Sequence, residues 1–317
     1  MPDLYYVNVS SVQAYMKCPF RWVCAWVENR VPADDARPLR FGKLLHKVYE
    51  RHQAEGMSMQ DALALSRSEW QTLAALTQPD TPDWSVARDA LADLEQIWEP
   101  MLLWKDRYPF EIPVLEAEAA FTMPHPMDAK IIMRGRPDRA GVHQGRVYHV
   151  QNRSLASGVN FPLYLELQKR SYHEHLYGAW LAQKYPQYEL GGTFYNLYRK
   201  LKYRKKATVK QVAAGEPGDI LHPISELFWQ HPMTIDLKSS LHEHVMKSLL
   251  QHIHAMQETE RRYREDGVVP PPNESIHGGP YGNSVDPYYR VLTGEIELSD
   301  DQYFKNREST YAVTEEA

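Results

Sequence analysis

Apolar residues recur at helical spacing through the first hundred positions of the chain. Val12, Tyr15, Met16, Phe20, Val23 and Val27 make one stripe over residues 9–29, with Ser10 or Ser11 placed to cap it and Pro19 set to break or kink it. A proline-bearing loop, 31–38, leads to a second helix over 41–55. A third helix covers 58–76, and a fourth runs over 85–108 with a bend expected at Pro100. The period then shortens. Residues 114–121 read as a strand, and 130–134 and 146–151 as two more, joined through a turn region at 140–145. Residues 191–201, opened by Gly191-Gly192, give a fourth strand. The four strands are expected to share one sheet, with a single helix over 162–184 packed on it. A further helix, 241–266, carries Val245, Leu249, Ile253 and Met256 on one face and stops at Gly267, before Pro270-Pro271-Pro272. From residue 273 the chain is rich in Gly, Pro, Tyr and acids and reads as largely irregular. The fold class is therefore α+β. One compact unit is expected to hold a mostly helical region (1–110), a sheet-bearing core (111–267) and an irregular tail (268–317).

Composition narrows the class without naming a chemistry. Of 317 residues, 43% are hydrophobic and 24% charged, as in ordinary soluble globular proteins. No apolar run approaches the ~20 residues of a membrane-spanning helix, so no membrane is expected as a partner. The start, Met1-Pro2-Asp3-Leu4, lacks the basic stretch and apolar core of a signal peptide. The two cysteines, Cys18 and Cys24, do not suggest a disulfide framework and fit a reducing, cytoplasmic setting. A net charge of −5 means that any contact with nucleic acid must come from a local patch. The segment Arg199, Lys200, Leu201, Lys202, Tyr203, Arg204, Lys205, Lys206 is one such patch, with Lys210 just beyond. It is either a solvated strand end or loop, or, with Tyr195, Tyr198 and Tyr203, a surface that tracks phosphates and stacks bases.

The candidate chemistry lies in the middle of the chain. Asp138 ends the segment Arg134-Gly135-Arg136-Pro137-Asp138 that follows the 130–134 strand, and Glu118 sits on the strand before it. With the imidazole of His46 they could supply the converging hard ligands that a divalent cation requires. Gln151 and Arg153 lie in the next β-type run, 147–154, with Gln151 thirteen residues past Asp138. His242, His244, His252 and His254 are not three or four apart, and His173 and His175 are two apart. None of these makes an adjacent chelating pair, and all six read as surface or partly buried histidines.

Several of these segments, in this order, resemble the PD-(D/E)XK nuclease superfamily, and its RecB-like branch in particular. Phe41 to Glu50 is similar to the Gly-x-x-x-His helix of that branch, and Lys17-Cys18-Pro19-Phe20 to its N-terminal Cys-Pro element. Gln168 to Tyr172 matches a Gln-x-x-x-Tyr motif, and Phe194 to Lys200 looks like the following strand of phage-encoded relatives. The resemblance covers roughly residues 10–206. It implies a restriction-endonuclease-like mixed central sheet flanked by helices, and a Mg²⁺- or Mn²⁺-dependent DNA nuclease of exonuclease type from a phage or recombination setting. DNA is the implied partner, with a recombination or replication protein as a candidate second one. Position by position it makes His46, Glu118 and Asp138 metal ligands, and has Gln168 and Tyr172 line the DNA or brace the site. Arg199, Lys200, Lys202, Arg204, Lys205 and Lys206 are the candidate DNA-binding cations.

The sequence departs from that pattern at its centre. Gln151 stands in the slot of the second acidic ligand and Arg153 in that of the catalytic lysine. A glutamine offers a metal a carbonyl oxygen but no charge. An arginine keeps a positive charge near a phosphate but cannot act as a base. Glu166 and Lys169, on the following helix, are candidates to have taken over the two roles, or are solvent-facing residues. If neither pair works, a catalytically degenerate nuclease fold acting as a DNA-binding or protein-interaction module is the alternative. Many relatives hold an iron–sulfur cluster with one N-terminal and three C-terminal cysteines. Cys18 fits the first position, residues 275–294 hold no cysteine, and no cluster is expected. Cys24 reads as core packing.

Overall fold

The computed structural model describes residues 4–32, 37–53, 55–79, 82–107, 112–117, 120–156, 158–200, 203–205, 219–220, 227–273, 287–292, 294–299, 301 and 304–307. It is a mixed α/β architecture in which sheets are flanked by helices. The N-terminal strand β1 (Tyr5–Asn8) runs into helix α1 (Val9–Lys17), followed by α2 (Pro19–Trp22) and a π-helical turn, Val23–Val27. The interruption falls at Pro19, as the sequence predicts. The cap does not: Asn8 Oδ1, rather than a serine, accepts the Ser11 N–H at 2.8 Å. The Ser11 hydroxyl instead accepts from the buried Trp22 indole at 2.9 Å.

Strand β2 (Arg30–Pro32) precedes three helices, α3 (Arg37–Gln53), α4 (Met59–Leu76) and α5 (Pro82–Arg107). Pro100 lies within α5. Leu45, Val48, Leu63, Leu94 and Ile97 are fully buried where these helices meet, together with Tyr198 from the sheet.

The strands do not form the single sheet expected. β3 (Val114–Ala117), β6 (Arg139–His143), β7 (Arg146–Leu155), β8 (Glu189–Arg199) and β11 (Phe228–Met233) make a five-stranded sheet in the order β11-β8-β7-β6-β3. β7 and β8 are parallel and the other neighbours antiparallel. The 130–134 strand belongs elsewhere. As β5 (Asp128–Gly135) it lies between β1 and β4 (Phe121–His125) in a separate three-stranded sheet. The chain leaves that sheet at Gly135, where a Cβ would come within 2.4 Å of the Phe121 ring, and Pro137 follows without an N–H to offer a ladder.

The 140–145 region is likewise mostly strand. Only Gln144 (φ 50°) and Gly145 (φ 75°) turn the β6–β7 hairpin, both left-handed as a two-residue hairpin loop demands. Short strands β9 (Tyr203–Lys205) and β10 (Asp219–Ile220) pair with each other.

The expected 162–184 helix is two. Asn160 caps α6 (Phe161–Gln168) through the Leu163 N–H, and α7 (Tyr172–Lys184) starts afresh after Ser171. Between them the Arg170 and Ser171 N–H groups bond three residues back, to Leu167 and Gln168. The Lys169 carbonyl freed by the break accepts from His175 Nε2 at 2.8 Å. One face of the sheet packs Tyr195 and Leu197 against Phe161 and Leu165 of α6. Helix α8 (Ser240–Asp266) lies along α7 and α1 and ends at Gly267 (φ 67°). The segment beyond 273 is not wholly irregular. Helix α9 (Pro287–Leu292) forms, and β12 (Phe304–Asn306) pairs antiparallel with β2 over a buried cluster containing Cys18, Phe20, Cys24, Tyr288 and Phe304. Neither Cys18 nor Cys24 is in a disulfide, and burial pushes the Cys24 thiol up to about 12. Among the described residues no helix is long and apolar enough to cross a membrane.

Candidate functional site

The strand β7 places His149, Gln151 and Arg153 on one face, alternating with Val150 and Asn152 on the other. Helix α7 covers that face and brings Glu174 against it. Gln151 and Glu174 are each 1% exposed. The side chains form a directed chain of hydrogen bonds. Arg153 Nε donates to Gln151 Oε1 at 2.7 Å, and Gln151 Nε2 donates to Glu174 Oε1 at 2.8 Å and faces His149 Nδ1 at 3.2 Å. Thr193 of β8 donates its hydroxyl to the other Glu174 oxygen.

Asp138, just before β6, joins this row from the side. Its Oδ2 accepts the Asn152 N–H at 3.2 Å and lies 3.7 Å from Nδ1 of His46, carried by α3. Asp138 thus meets His46 on one side and the β7 row that carries Gln151 and Arg153 on the other. Glu118 falls outside the described residues. On the far face an amide ladder ties the strands together: Gln230 Nε2 to Asn196 Oδ1, and Asn196 Nδ2 to Asn152 Oδ1, at 2.8 and 2.9 Å.

A cavity of about 480 Å³ opens over Asp138, His149, Arg153 and Glu174. The break between α6 and α7 shapes its wall, so that Tyr164 and Gln168 enter from one helix and Ser171, His173 and Tyr177 from the junction and the next. Arg136, Ser10, Gln13, Ser154 and Leu155 line the remainder. Burial works against the Arg153 charge, but the Asp138 carboxylate, Tyr164 and the Glu174 carboxylate outweigh it, and the guanidinium is held more firmly protonated than usual. Burial also pushes the Glu174 carboxyl up, against the opposing pull of its Thr193, Tyr195, Arg153 and Gln151 neighbours. His149 is held well below the usual imidazole range by burial and then by Arg153. The same two causes bring His173 down to about 3. The cavity therefore presents charged arginine beside neutral imidazoles.

The remaining candidates are placed differently. Glu166 and Lys169 are exposed and pair with each other at 2.6 Å, and neither lines the cavity. Tyr172 bonds Ser248 of α8 at 2.9 Å, which makes it a brace between helices. Arg199 donates to the Val159 carbonyl at 3.1 Å and lies over the Phe161 ring, while the Lys200 ammonium lies over Phe41. Arg204 and Lys205 lie on β9; Lys202 and Lys206 fall outside the described residues.

His175, read from sequence as surface or partly buried, is 2% exposed. Its Nδ1 is 3.0 Å from that of His242. Sequence reasoning missed Glu174, His149 and His173 as members of the site. His149 carried a legible signal, its period-two placement with Gln151 and Arg153. Glu174 carried none, because it depends on how α7 docks.

A divalent ion needs several oxygen or nitrogen ligands with free lone pairs. Among the described residues no group of three His, Cys, Asp or Glu could hold one. Gln151 cannot compensate, since its carbonyl oxygen is engaged by Arg153 and its nitrogen by Glu174. The donor set of the described residues does not fit a full metal shell.

In comparison with known proteins, residues 6–217 match the family model of the PD-(D/E)XK nuclease superfamily. That span contains His46, Asp138, Gln151, Arg153 and Glu174. No curated protein matches the chain.

Proposed function

This chain belongs to the PD-(D/E)XK nuclease superfamily, and from that premise we propose that it engages DNA through the Asp138–Arg153 cavity and, as built, cleaves it weakly or not at all. The observation that carries this reading is the linkage Arg153–Gln151–Glu174. The slot of a metal-binding acid is filled by an amide whose two ends are both committed to protein partners. A metal entering there would have to break a charge-assisted hydrogen bond of the kind worth roughly 1.5–3 kcal/mol. It would gain only a neutral carbonyl ligand in exchange.

A second reading, a metal-dependent exonuclease of RecB-like, phage or recombination type, is favoured by one observation. His46 and Asp138 stand 3.7 Å apart, a separation that one cation could bridge. In that reading Mn²⁺ is tolerated better than Mg²⁺, because it accepts the imidazole nitrogen more readily.

Digestion of linear and circular DNA with Mg²⁺ or Mn²⁺ tests both readings, run beside the Gln151→Glu, Arg153→Lys double variant. Under the first reading the original protein binds DNA with little cleavage, and the double variant gains Mn²⁺-dependent activity or remains a binder. Cleavage by the original protein that is lost in Asp138→Ala supports the second. Cleavage that survives both Asp138→Ala and Glu166→Ala overturns every mechanism at this site.

A further inference from the structure

We propose that the cavity over Arg153 binds a phosphate group directly, with no divalent ion between the protein and the phosphate. This rests on the DNA-engaging reading above and deepens it, since it names the group that the site takes and the residue that takes it.

The hydrogen-bond directions carry the argument. Arg153 spends Nε on Gln151 Oε1, which fixes the plane of the guanidinium. No hydrogen bond from its two terminal amino groups to a described residue accompanies it, and the side chain lines the cavity. Such a pair of parallel N–H donors matches two oxygens of a phosphate.

The same bond settles the Gln151 amide. With its oxygen accepting from Arg153, its nitrogen must donate, both to Glu174 and to His149 Nδ1. Neutral His149 then carries its proton on Nε2. That atom is buried without a partner in a residue only 1% exposed, at the wall of the cavity. An N–H left without an acceptor in such a place is costly to the fold unless something accepts from it.

Ser10, Ser154, Ser171 and Tyr164, each bearing a hydroxyl, line the same space, as does a second arginine, Arg136. Asp138 and Glu174 are the opposing charges: Asp138 Oδ2 is turned to the Asn152 N–H and His46, and Glu174 accepts from Gln151 and Thr193. This donor-rich surround is the complement of a phosphate. The family's two-acid pattern, by contrast, complements a cation. A terminal phosphate and an internal phosphodiester of a strand present the same oxygens, as does inorganic phosphate.

The test uses the full chain in excess EDTA with three probes: inorganic phosphate followed by ³¹P line broadening, an oligonucleotide with a 5′-terminal phosphate, and the same oligonucleotide without it. We expect phosphate broadening that Arg153→Gln abolishes. Oligonucleotide affinity should fall about tenfold or more in that variant, from the loss of a charged hydrogen-bond donor. Arg153→Lys should lie between, keeping the charge but losing the fork. A wild-type preference for the phosphorylated strand that vanishes in Arg153→Gln assigns the site to strand ends. Equal affinity for both strands with the same drop assigns it to internal phosphates.

Circular dichroism checks that the variants fold. If Arg153→Gln does not, Arg153→Lys and competition of inorganic phosphate against the oligonucleotide on the wild type separate the same outcomes. Strand binding in EDTA that neither variant nor phosphate alters overturns the inference and leaves the DNA reading standing, as does binding that appears only with Mg²⁺ or Mn²⁺. Arg153-dependent phosphate binding without any strand binding sustains the inference and overturns the DNA reading.

Discussion

At the scale of single residues, Glu174 decides what the site can be. It accepts from Gln151 and Thr193 and faces the charge of Arg153 from a fully buried position. Glu174→Ala leaves two buried donors unpaired and a buried guanidinium without one of its carboxylates. The expected cost is about 3–5 kcal/mol, as for breaking a buried ion pair, with a smaller loss for Glu174→Gln. Urea unfolding measures both, and a Glu174→Ala protein as stable as the original would show the network to be dispensable.

The histidines set a pH dependence. His173 is depressed to about 3 from 6.5, so between those values the unfolded chain takes up a proton that the folded chain refuses. Stability is then fully present above ~6.5 and falls as pH drops toward 3, by up to roughly 1.4 kcal/mol per pH unit. His149, lowered for the same reasons, adds to the loss. Glu174 acts the other way. Its raised carboxyl contributes stability at low pH that is lost as pH rises above 4.5. With two histidines against one carboxyl, the urea midpoint should fall between pH 7 and pH 5, and His173→Gln should flatten that fall.

At the scale of elements, the register of β8 with its neighbours rests on Gly191 and Gly192. A Cβ at Gly191 would meet the Tyr148 ring at 2.3 Å. Gly192, at φ +105°, would place one 2.2 Å from the Met233 carbonyl oxygen. The sequence marks this pair as a strand opening; the structure makes it a point of contact for β7 and β11. Gly192→Ala should destabilise the fold by about 2 kcal/mol or more, through both strain and overpacking, which thermal melting would show as a lowered midpoint. The split between α6 and α7 was less legible. The apolar period runs on across it. What stops the helix is the early tightening at Arg170 and Ser171, with His175 taking the Lys169 carbonyl. That choice depends on a residue already buried against α8.

At the scale of the whole molecule, a net charge of −5 confines any DNA contact to local patches. Helix α6 touches two candidates: its Tyr164 and Gln168 line the cavity, and its Phe161 lies under the Arg199 guanidinium. The cavity residues Arg153, Ser154 and Leu155 close β7, while Arg199 ends β8, Lys200 follows it, and these two reach back to Val159 and Leu155. A strand could therefore pass from Arg199 and Lys200 into the cavity. Neutralising Arg199, Lys200, Arg204 and Lys205 together should lower the slope of log affinity against log salt by about 0.7–0.9 for each phosphate that the protein no longer neutralises. An unchanged slope would return the run to a solvated loop.

The sequence by itself determined what depends on neighbours along the chain. Helical periods placed the N-terminal helices and α8, whose stop at Gly267 needed only a left-handed residue. Alternation placed β7 and β8 and set Gln151 and Arg153 on one face, because a strand's period is fixed at two. Motif order brought out the superfamily and drew His46 and Asp138 toward one another. Tertiary structure alone decided what depends on distant partners. It paired β5 with β1 rather than with β6, a choice among edges that all have similar local patterns. It also brought Glu174 under Gln151. A charged residue on a helix is read as solvent-facing until another element removes the solvent, and here β7 and β8 remove it, turning an apparent metal slot into a hydrogen-bonded link.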